Sequence, residues 1–266
     1  MPAEPAARLE DNLLLQALRA DDRELIRPHL EAVSYPKGAT LFEPGASVTH
    51  ITFPCRHAVV ALLIVTRDGF SAETATIGHE GAVGGVVSQG YIPASTQAVV
   101  QIGGPMLRIE AYTLQDLKRR SAQIRDLFAR YSDCLLAQVL QSSACNALHP
   151  IEQRCQRWLL TLQDRVGSPV LPVTHELLAS MLGVQRTYLT RILRVLHEQG
   201  VISVGRGRIT IRDRARMENA ACECHGRVRS HFETVLGAVY TSSGLDRFDL
   251  RAGHAASAEA AEEKAG

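Results

Sequence analysis

The sequence predicts an α+β chain. An N-terminal antiparallel β-roll, jelly-roll-like, comes first, a long helix follows, and a compact helical block ending in a β-hairpin completes the fold. Three observations predict this order. Between residue 33 and about residue 110, short β-prone runs alternate with Gly, Pro and Asp punctuation. Residues 113–148 contain neither Gly nor Pro. Residues 150–216 show apolar residues at helical spacing and then two short strands around a Gly-rich turn.

Composition limits the function classes. The 266 residues suit two modest domains, and 45% hydrophobic with 21% charged residues supplies core for both, which excludes global disorder. The richest apolar run, Ala58 to Val65, is strand-length, so no membrane span is expected. The opening MPAEPAARLEDN lacks a basic-then-apolar signal pattern, which points to a cytoplasmic protein. Six cysteines, at 55, 134, 145, 155, 222 and 224, are too sparse for a disulfide scaffold.

The elements follow in order. Leu13, Leu14, Leu18, Leu25, Ile26 and Leu30 mark an amphipathic helix pair over 9–31, interrupted by Pro28. Turns fall at Pro36-Lys37-Gly38, Glu43-Pro44-Gly45, Asp68-Gly69, Gly78, Gly84-Gly85 and Gly103-Gly104-Pro105. Asp68-Gly69 separates Val59–Thr66 from Phe70–Ile77, a hairpin signal. From Leu117 a stripe runs through Ser121, Ile124, Phe128, Tyr131, Leu135, Gln138, Ser142 and Cys145; its first half is apolar, of coiled-coil type. The helix outlasts what one small domain needs to cover, which favours pairing with a second copy. Beyond it, Met217, Cys224, Val228, Phe232, Val235 and Leu236 predict a helix to about 238, and residues 242–266, rich in Ala, Glu, Gly and Ser, predict disorder. The expected divisions are 1–112 for the β-roll, 113–148 for the long helix, 149–216 for the helical block and 217–266 for a C-terminal helix and tail.

Charge is segregated. The whole chain carries +1, yet residues 150–216 hold 11 arginines, no lysine and 5 acids, net +6. That block contains the strongest motif. Thr174 can cap a short helix with Leu177, Leu178 and Met181 on its apolar face, and Gly183 supplies a tight turn. A second helix from about Gln185 to Gln199 stops at Gly200. Leu189, Ile192, Leu193 and Leu196 share one of its faces, which sends Thr187, Thr190, Arg191 and Arg194 to the other, with Gln185 and Arg186 at its start. This is the pattern of a helix-turn-helix whose second helix enters the major groove, where arginine binds guanine O6/N7 bidentately. The following hairpin, Val201–Ile211, carries Arg206 and Arg208 at its tip, as a wing that contacts phosphates. Trp158 is expected beneath the helix-turn-helix as core.

The chain resembles the Crp/Fnr transcription regulators over about residues 9–216. Tyr35-Pro-Lys-Gly-Ala-Thr-Leu-Phe-Glu-Pro-Gly45 is similar to the opening strand and turn of their cyclic-nucleotide-binding-like β-roll. Ile77-Gly-His-Glu-Gly-Ala-Val-Gly84 resembles the loop that cradles phosphate in ligand-binding members. The resemblance implies a non-enzymatic, homodimeric, sequence-specific regulator that binds double-stranded DNA at an inverted repeat and works with RNA polymerase, using a long dimerisation helix and a winged helix-turn-helix. It places base reading on Arg186 and Arg191, with Thr187 where the family carries Glu. It places a ligand pocket at Gly81, Ala82, Val83, Gly84, Ser95 and Thr96. Ala82 stands where cyclic-nucleotide binders have Glu, and Pro93–Ala98 holds no arginine, so a cyclic phosphate would lack a charged partner.

Two alternatives stand beside this reading: a cyclic-nucleotide-responsive regulator with an atypical pocket, and a metal or redox sensor using Cys145, Cys155, Cys222 or Cys224. Cys145 and His149 lie i,i+4, and Cys222-Glu-Cys224-His225 offers soft ligands within four residues. Buried thiols more often simply pack, so no metal and no cofactor is the expectation. No phosphate loop, nucleophile elbow or paired catalytic carboxylates stand out.

Overall fold

The computed structural model describes residues 6–68, 71–84 and 92–250. Two short helices, α1 (Leu13–Gln16) and α2 (Ala20–Ile26), open the chain with 3-10 turns beside them. Asn12 caps α1 by accepting from the Leu15 N–H, and its amide donates to the Pro54 and Gly81 carbonyls at 2.8 and 2.9 Å. The start of the chain is thereby fixed to the β-roll.

The roll consists of β1 (Glu31–Tyr35), β2 (Thr40–Phe42), β3 (His50–Pro54), β4 (Val59–Val65), β5 (Ser71–Ile77), β6 (Gln97–Ile102) and β7 (Gly104–Glu110). They form two antiparallel sheets, ordered β1-β7-β3 and β2-β6-β4-β5. The expected hairpin is present as the β4–β5 pair, with Val65 opposite Ser71, while Gly69 and Phe70 at its tip lie outside the described residues, as does Gly85. Strand alternation sets three apolar layers. Val60, Ile77, Ala98, Val100 and Met106 fill the roll, whereas Ile51, Phe53, Leu107 and Ile109 face the helices. Val59, Ala61 and Leu63 point the opposite way from Val60 and meet the C-terminal helical block. With both faces covered, β4 reads as a continuous apolar run.

After the roll come α3 (Ala111–Arg120) and α4 (Ala122–Leu148). The single helix expected over 113–148 is therefore broken at Ser121, whose backbone is extended (φ −122°, ψ 117°). Its hydroxyl caps α4 by accepting from the Ile124 N–H and donates to Asp22 at 2.7 Å. A serine with a buried carboxylate to hold can end one helix and begin another without Gly or Pro. The expected pairing stripe is also corrected. Leu117, Ile124, Phe128, Tyr131, Gln138, Ser142 and Cys145 are buried within the chain itself. The opposite face of α4 leaves Leu136 and Leu140 exposed (55% and 61%), in line with Ala129, Ser143 and Ala147.

The C-terminal block comprises α5 (Ile151–Val166), β8 (Val170–Leu171), α6 (His175–Leu182), α7 (Arg186–Glu198), β9 (Ile202–Gly205), β10 (Arg208–Ile211) and α8 (Arg214–Ala220). Its core of Trp158, Leu159, Leu178, Leu189, Leu193 and Ile209 is continuous with the outer face of β4. The chain then continues through α9 (Cys224–Leu236), β11 (Ala238–Thr241) and β12 (Gly244–Phe248). The helix expected from 217 is thus two helices separated at 221–223. Disorder from 242 is overturned as far as residue 250: Leu245 is buried, and the Asp249 N–H donates to the Gly237 carbonyl at 2.8 Å. Phe232, Leu236, Ala238 and Leu245 join the core formed by α1, α3 and α4, a contact that local composition does not encode. Residues 251–266 lie outside the described residues. Among the described residues no helix is long and apolar enough to cross a membrane.

Candidate nucleic-acid interface

Local chemistry builds the two-helix unit as its sequence implies. The Thr174 hydroxyl accepts from the Leu177 N–H at 3.1 Å and caps α6. Gly183 ends α6 in the left-handed region (φ 67°, ψ 35°), which lets the chain turn sharply into α7. Leu189, Ile192, Leu193 and Leu196 bury one face of α7 against Leu178, Ala179, Met181 and Leu182 of α6.

That burial decides what the other face presents. Gln185 (the N-cap), Arg186, Thr187, Thr190, Arg191 and Arg194 are all exposed, on the side away from the core. The Thr190 hydroxyl donates to the Arg186 carbonyl at 2.9 Å and lies 3.2 Å from His175 Nδ1, so it is partly engaged. Arg194 faces Glu198 at 3.8 Å, one turn along, which offsets part of its charge. Arg206 and Arg208 are exposed on the β9–β10 hairpin, with Arg208 paired opposite Gly205.

Several neighbours were not among the expected residues. His175 sits at the start of α6, where burial and the Arg186 charge hold it below the usual histidine range. The Tyr188 hydroxyl donates to Glu152 at 3.0 Å and ties α7 to α5. Arg212 and Arg216 are exposed and add two positive charges next to the wing; Arg212 donates to the Ser203 hydroxyl at 3.0 Å. The arginine-only charge of this block was the signal for the last pair; nothing local marked the first.

The block is held firmly against the roll. Trp158 is buried as expected, but it lies at this junction, and its Nε1–H donates to both Glu73 carboxylate oxygens at 3.0 Å. Arg165 of α5 forms a buried ion pair with Glu80 at 2.9 Å, donates to Gln138 Oε1 of α4 at 2.9 Å, and accepts from His79 Nδ1 through its carbonyl at 2.8 Å. Asp164, the preceding residue, pairs with Arg214 at 2.7 Å and with His225 at 2.8 Å. Burial alone would raise the Asp164 carboxyl, but His225, Arg214 and Arg229 outweigh it and hold the group below the usual carboxylate range.

Of the expected ligand-pocket residues, Gly81, Ala82 and Val83 pack against neighbouring elements. The Gly81 N–H donates to the Gly78 carbonyl, the Val83 N–H to the Thr52 carbonyl, and the Tyr131 hydroxyl to the Ala82 carbonyl at 3.2 Å. A Cβ on Gly81 would run into the Tyr131 ring, so only glycine allows α4 this close. Ala82 and Val83 are buried, Gly84 and Thr96 half-buried, and Ser95 exposed. An anion cradle needs backbone N–H groups free to point at the ligand, and two of those here already have partners.

The cysteines divide into two groups. Cys55, Cys134 and Cys155 are buried in the main cores, where burial pushes each thiol up to about 12. Cys145, Cys222 and Cys224 form a separate buried cluster with His149 beside them. The Cys222 thiol, 3.5 Å away, holds Cys145 below the usual thiol range. Of the sequence candidates, Cys155 is not part of this cluster, and His225 turns to Asp164 instead.

Known proteins agree with the fold. A family model described as the Crp-like helix-turn-helix domain matches residues 153–220. No curated protein matches the chain by sequence. Among solved structures, FixK2 from Bradyrhizobium japonicum superposes with a TM-score of 0.64 at 17% identity, covering 73% of this chain and 98% of that one. CLP from Xanthomonas campestris, a c-di-GMP responsive global regulator, gives 0.59 at 17% identity over 73% of this chain and 99% of that one. A CRP-family transcriptional regulator from Thermus thermophilus gives 0.60 at 17% identity over 71% of this chain and 96% of that one. The chain therefore has the fold of these regulators, and its residues 153–220 match the Crp-like helix-turn-helix domain.

Proposed function

We propose that this protein is a sequence-specific DNA-binding transcription regulator that acts in the cytoplasm as a homodimer on an inverted repeat. The observation that carries the reading is the exposed face of α7, with Arg186, Thr187 and Arg191 in its first two turns beside the arginine-tipped hairpin. The first turns of α7 lie in the major groove, where Arg186 and Arg191 read guanine edges and Gln185, Thr187 and Thr190 add shorter contacts. Arg206 and Arg208 hold phosphates and add affinity without sequence information, and Arg194 supports them along the backbone. Threonine cannot accept from cytosine N4 with a carboxylate's strength, so the half-site departs from one read by Arg, Glu and Arg.

The dimer forms through the exposed side of α4, where Ala129, Leu136, Leu140, Ser143 and Ala147 recur at heptad spacing. Two-fold symmetry then spaces the half-sites one helical turn apart, roughly 10–10.5 bp. RNA polymerase is the downstream partner. The signal enters through the roll, and the Glu80–Arg165 and Glu73–Trp158 contacts carry a change in the roll to α5.

The test is selection from a random duplex pool with ligand-free protein at stated salt. Enrichment of a two-fold-symmetric site is the expected result, with relaxed preference at one position per half-site for Arg186→Ala. Salt-sensitive binding without any enrichment would refute the reading of sequence by α7.

A further inference from the structure

We propose that Cys145, His149, Cys222 and Cys224 form a tetrahedral site for a zinc ion. The four ligands come from two distant parts of the chain. Cys145 lies in the last turn of α4 and His149 is its C-cap; Cys222 and Cys224 flank the start of α9. The fold brings one ligand atom from each within 4.8 Å of all the others. Cys145 Sγ stands 3.5 Å from Cys222 Sγ, and Cys224 Sγ stands 3.5 Å from His149 Nδ1. Zinc bound by sulfur at ~2.3 Å and imidazole nitrogen at ~2.0 Å places such neighbours about 3.5–3.8 Å apart, so the donors already stand close to their bound separations. Three thiolates with one imidazole is a donor set that suits zinc and leaves no open position, as in structural sites.

The surroundings are those of ligands held for a metal. His149 Nε2 lies 3.2 Å from Glu223, a carboxylate that orients the ring so that Nδ1 faces the sulfurs. The Gln141 amide donates to Cys224 Sγ at 3.0 Å. Zinc with three thiolates carries one net negative charge. Arg154 and Arg157, next to the cluster on α5, each keep a buried Nε without a hydrogen-bond partner among the described residues, and their charge opposes that of the site. The three sulfurs pack with each other and stand apart from the three apolar cores, which thiols serving only as filler would not need to do. Zinc binding takes all three cysteines as thiolates, with whatever thiol protons they still carry passing to solvent, and takes His149 as neutral imidazole. The ion fastens the C-terminal extension to the point where α4 hands over to α5. The inference does not depend on DNA binding.

The test uses full-length, reduced protein purified without chelator. The expected result is one zinc per chain by elemental analysis. After removal of zinc, cobalt(II) loading should give the thiolate charge-transfer band and the ligand-field bands of a tetrahedral site. Glu223→Gln should weaken zinc binding about 10–100-fold in competition with a chromophoric chelator, and Cys222→Ser or Cys224→Ser should weaken it further. Cys155→Ser, a buried thiol outside the cluster, should keep full stoichiometry. Substoichiometric zinc in the reduced wild type, a cobalt spectrum without thiolate charge transfer, or a Cys145–Cys222 disulfide with no metal uptake after its reduction would overturn the assignment. The wild-type cobalt spectrum decides the matter even if a serine variant fails to fold.

Discussion

Replacing Arg165 with methionine tests how the roll and the helix-turn-helix block are joined. The Arg165 and Glu80 side chains are 8% and 4% exposed, so the ion pair lies in the interior. Methionine preserves much of the stem's packing but leaves the Glu80 carboxylate and Gln138 Oε1 without their cationic partner. Breaking a buried pair from one side costs about 3–5 kcal/mol, because the remaining charge stays desolvated. Glu80 keeps its contact with the Gly78 N–H, which places the expected loss toward 3 kcal/mol, roughly the low end of that range. The double variant Glu80→Gln/Arg165→Met leaves neither charge buried and should recover most of the loss, with a residue of about 1 kcal/mol for the missing hydrogen bonds. The assay is urea unfolding followed by tryptophan fluorescence. Trp158 is the only tryptophan, and its indole donates across the same junction to Glu73. A loss below about 1 kcal/mol, the value of an exposed pair, would mean that water reaches the junction and that the pair is not a buried tie.

Three further outcomes are expected. Arg206→Ala and Arg208→Ala should weaken all duplexes alike and each flatten the salt slope by about 1; a changed base preference in duplex-binding titrations would contradict the wing assignment. If the proposed dimer forms through α4, Leu136→Glu with Leu140→Glu should sediment as a monomer where the wild type sediments as a dimer, whereas a variant that stays dimeric would move the interface off α4. Asp164 has its carboxyl held down in the folded state, so its contribution to stability is complete above the ordinary carboxylate range and is lost as pH falls through its lowered value. Thermal melts should therefore show a shallower acid loss in Asp164→Asn than in the wild type, and parallel profiles would contradict the linkage.

Where the sequence was legible, each residue's role was set by its neighbours along the chain. Thr174, Gly183 and the Leu189–Leu196 face define a helix-turn-helix within about 25 residues, and period 3.6 alone sends Arg186 and Arg191 to the outside. The strands of the roll were legible from punctuation for the same reason. Ser121 shows the limit. As a cap it is as readable as Thr174, but whether a serine interrupts a helix depends on a partner, and that partner, Asp22, stands 99 positions away.

The order of classes along this chain is written locally: an antiparallel roll, a helical connector, and a basic helix-turn-helix with a hairpin. Those follow from periodicity, turn chemistry and local charge. Long-range packing sets which face of α4 is free, because the apolar stripe that invited pairing is consumed by the chain's own roll and C-terminal extension. The same packing makes residues 238–248 a hairpin and brings Cys145, His149, Cys222 and Cys224 together while Cys155 stays apart. Packing between elements far apart in sequence is chosen by the total surface that can be buried together, a quantity no local window contains.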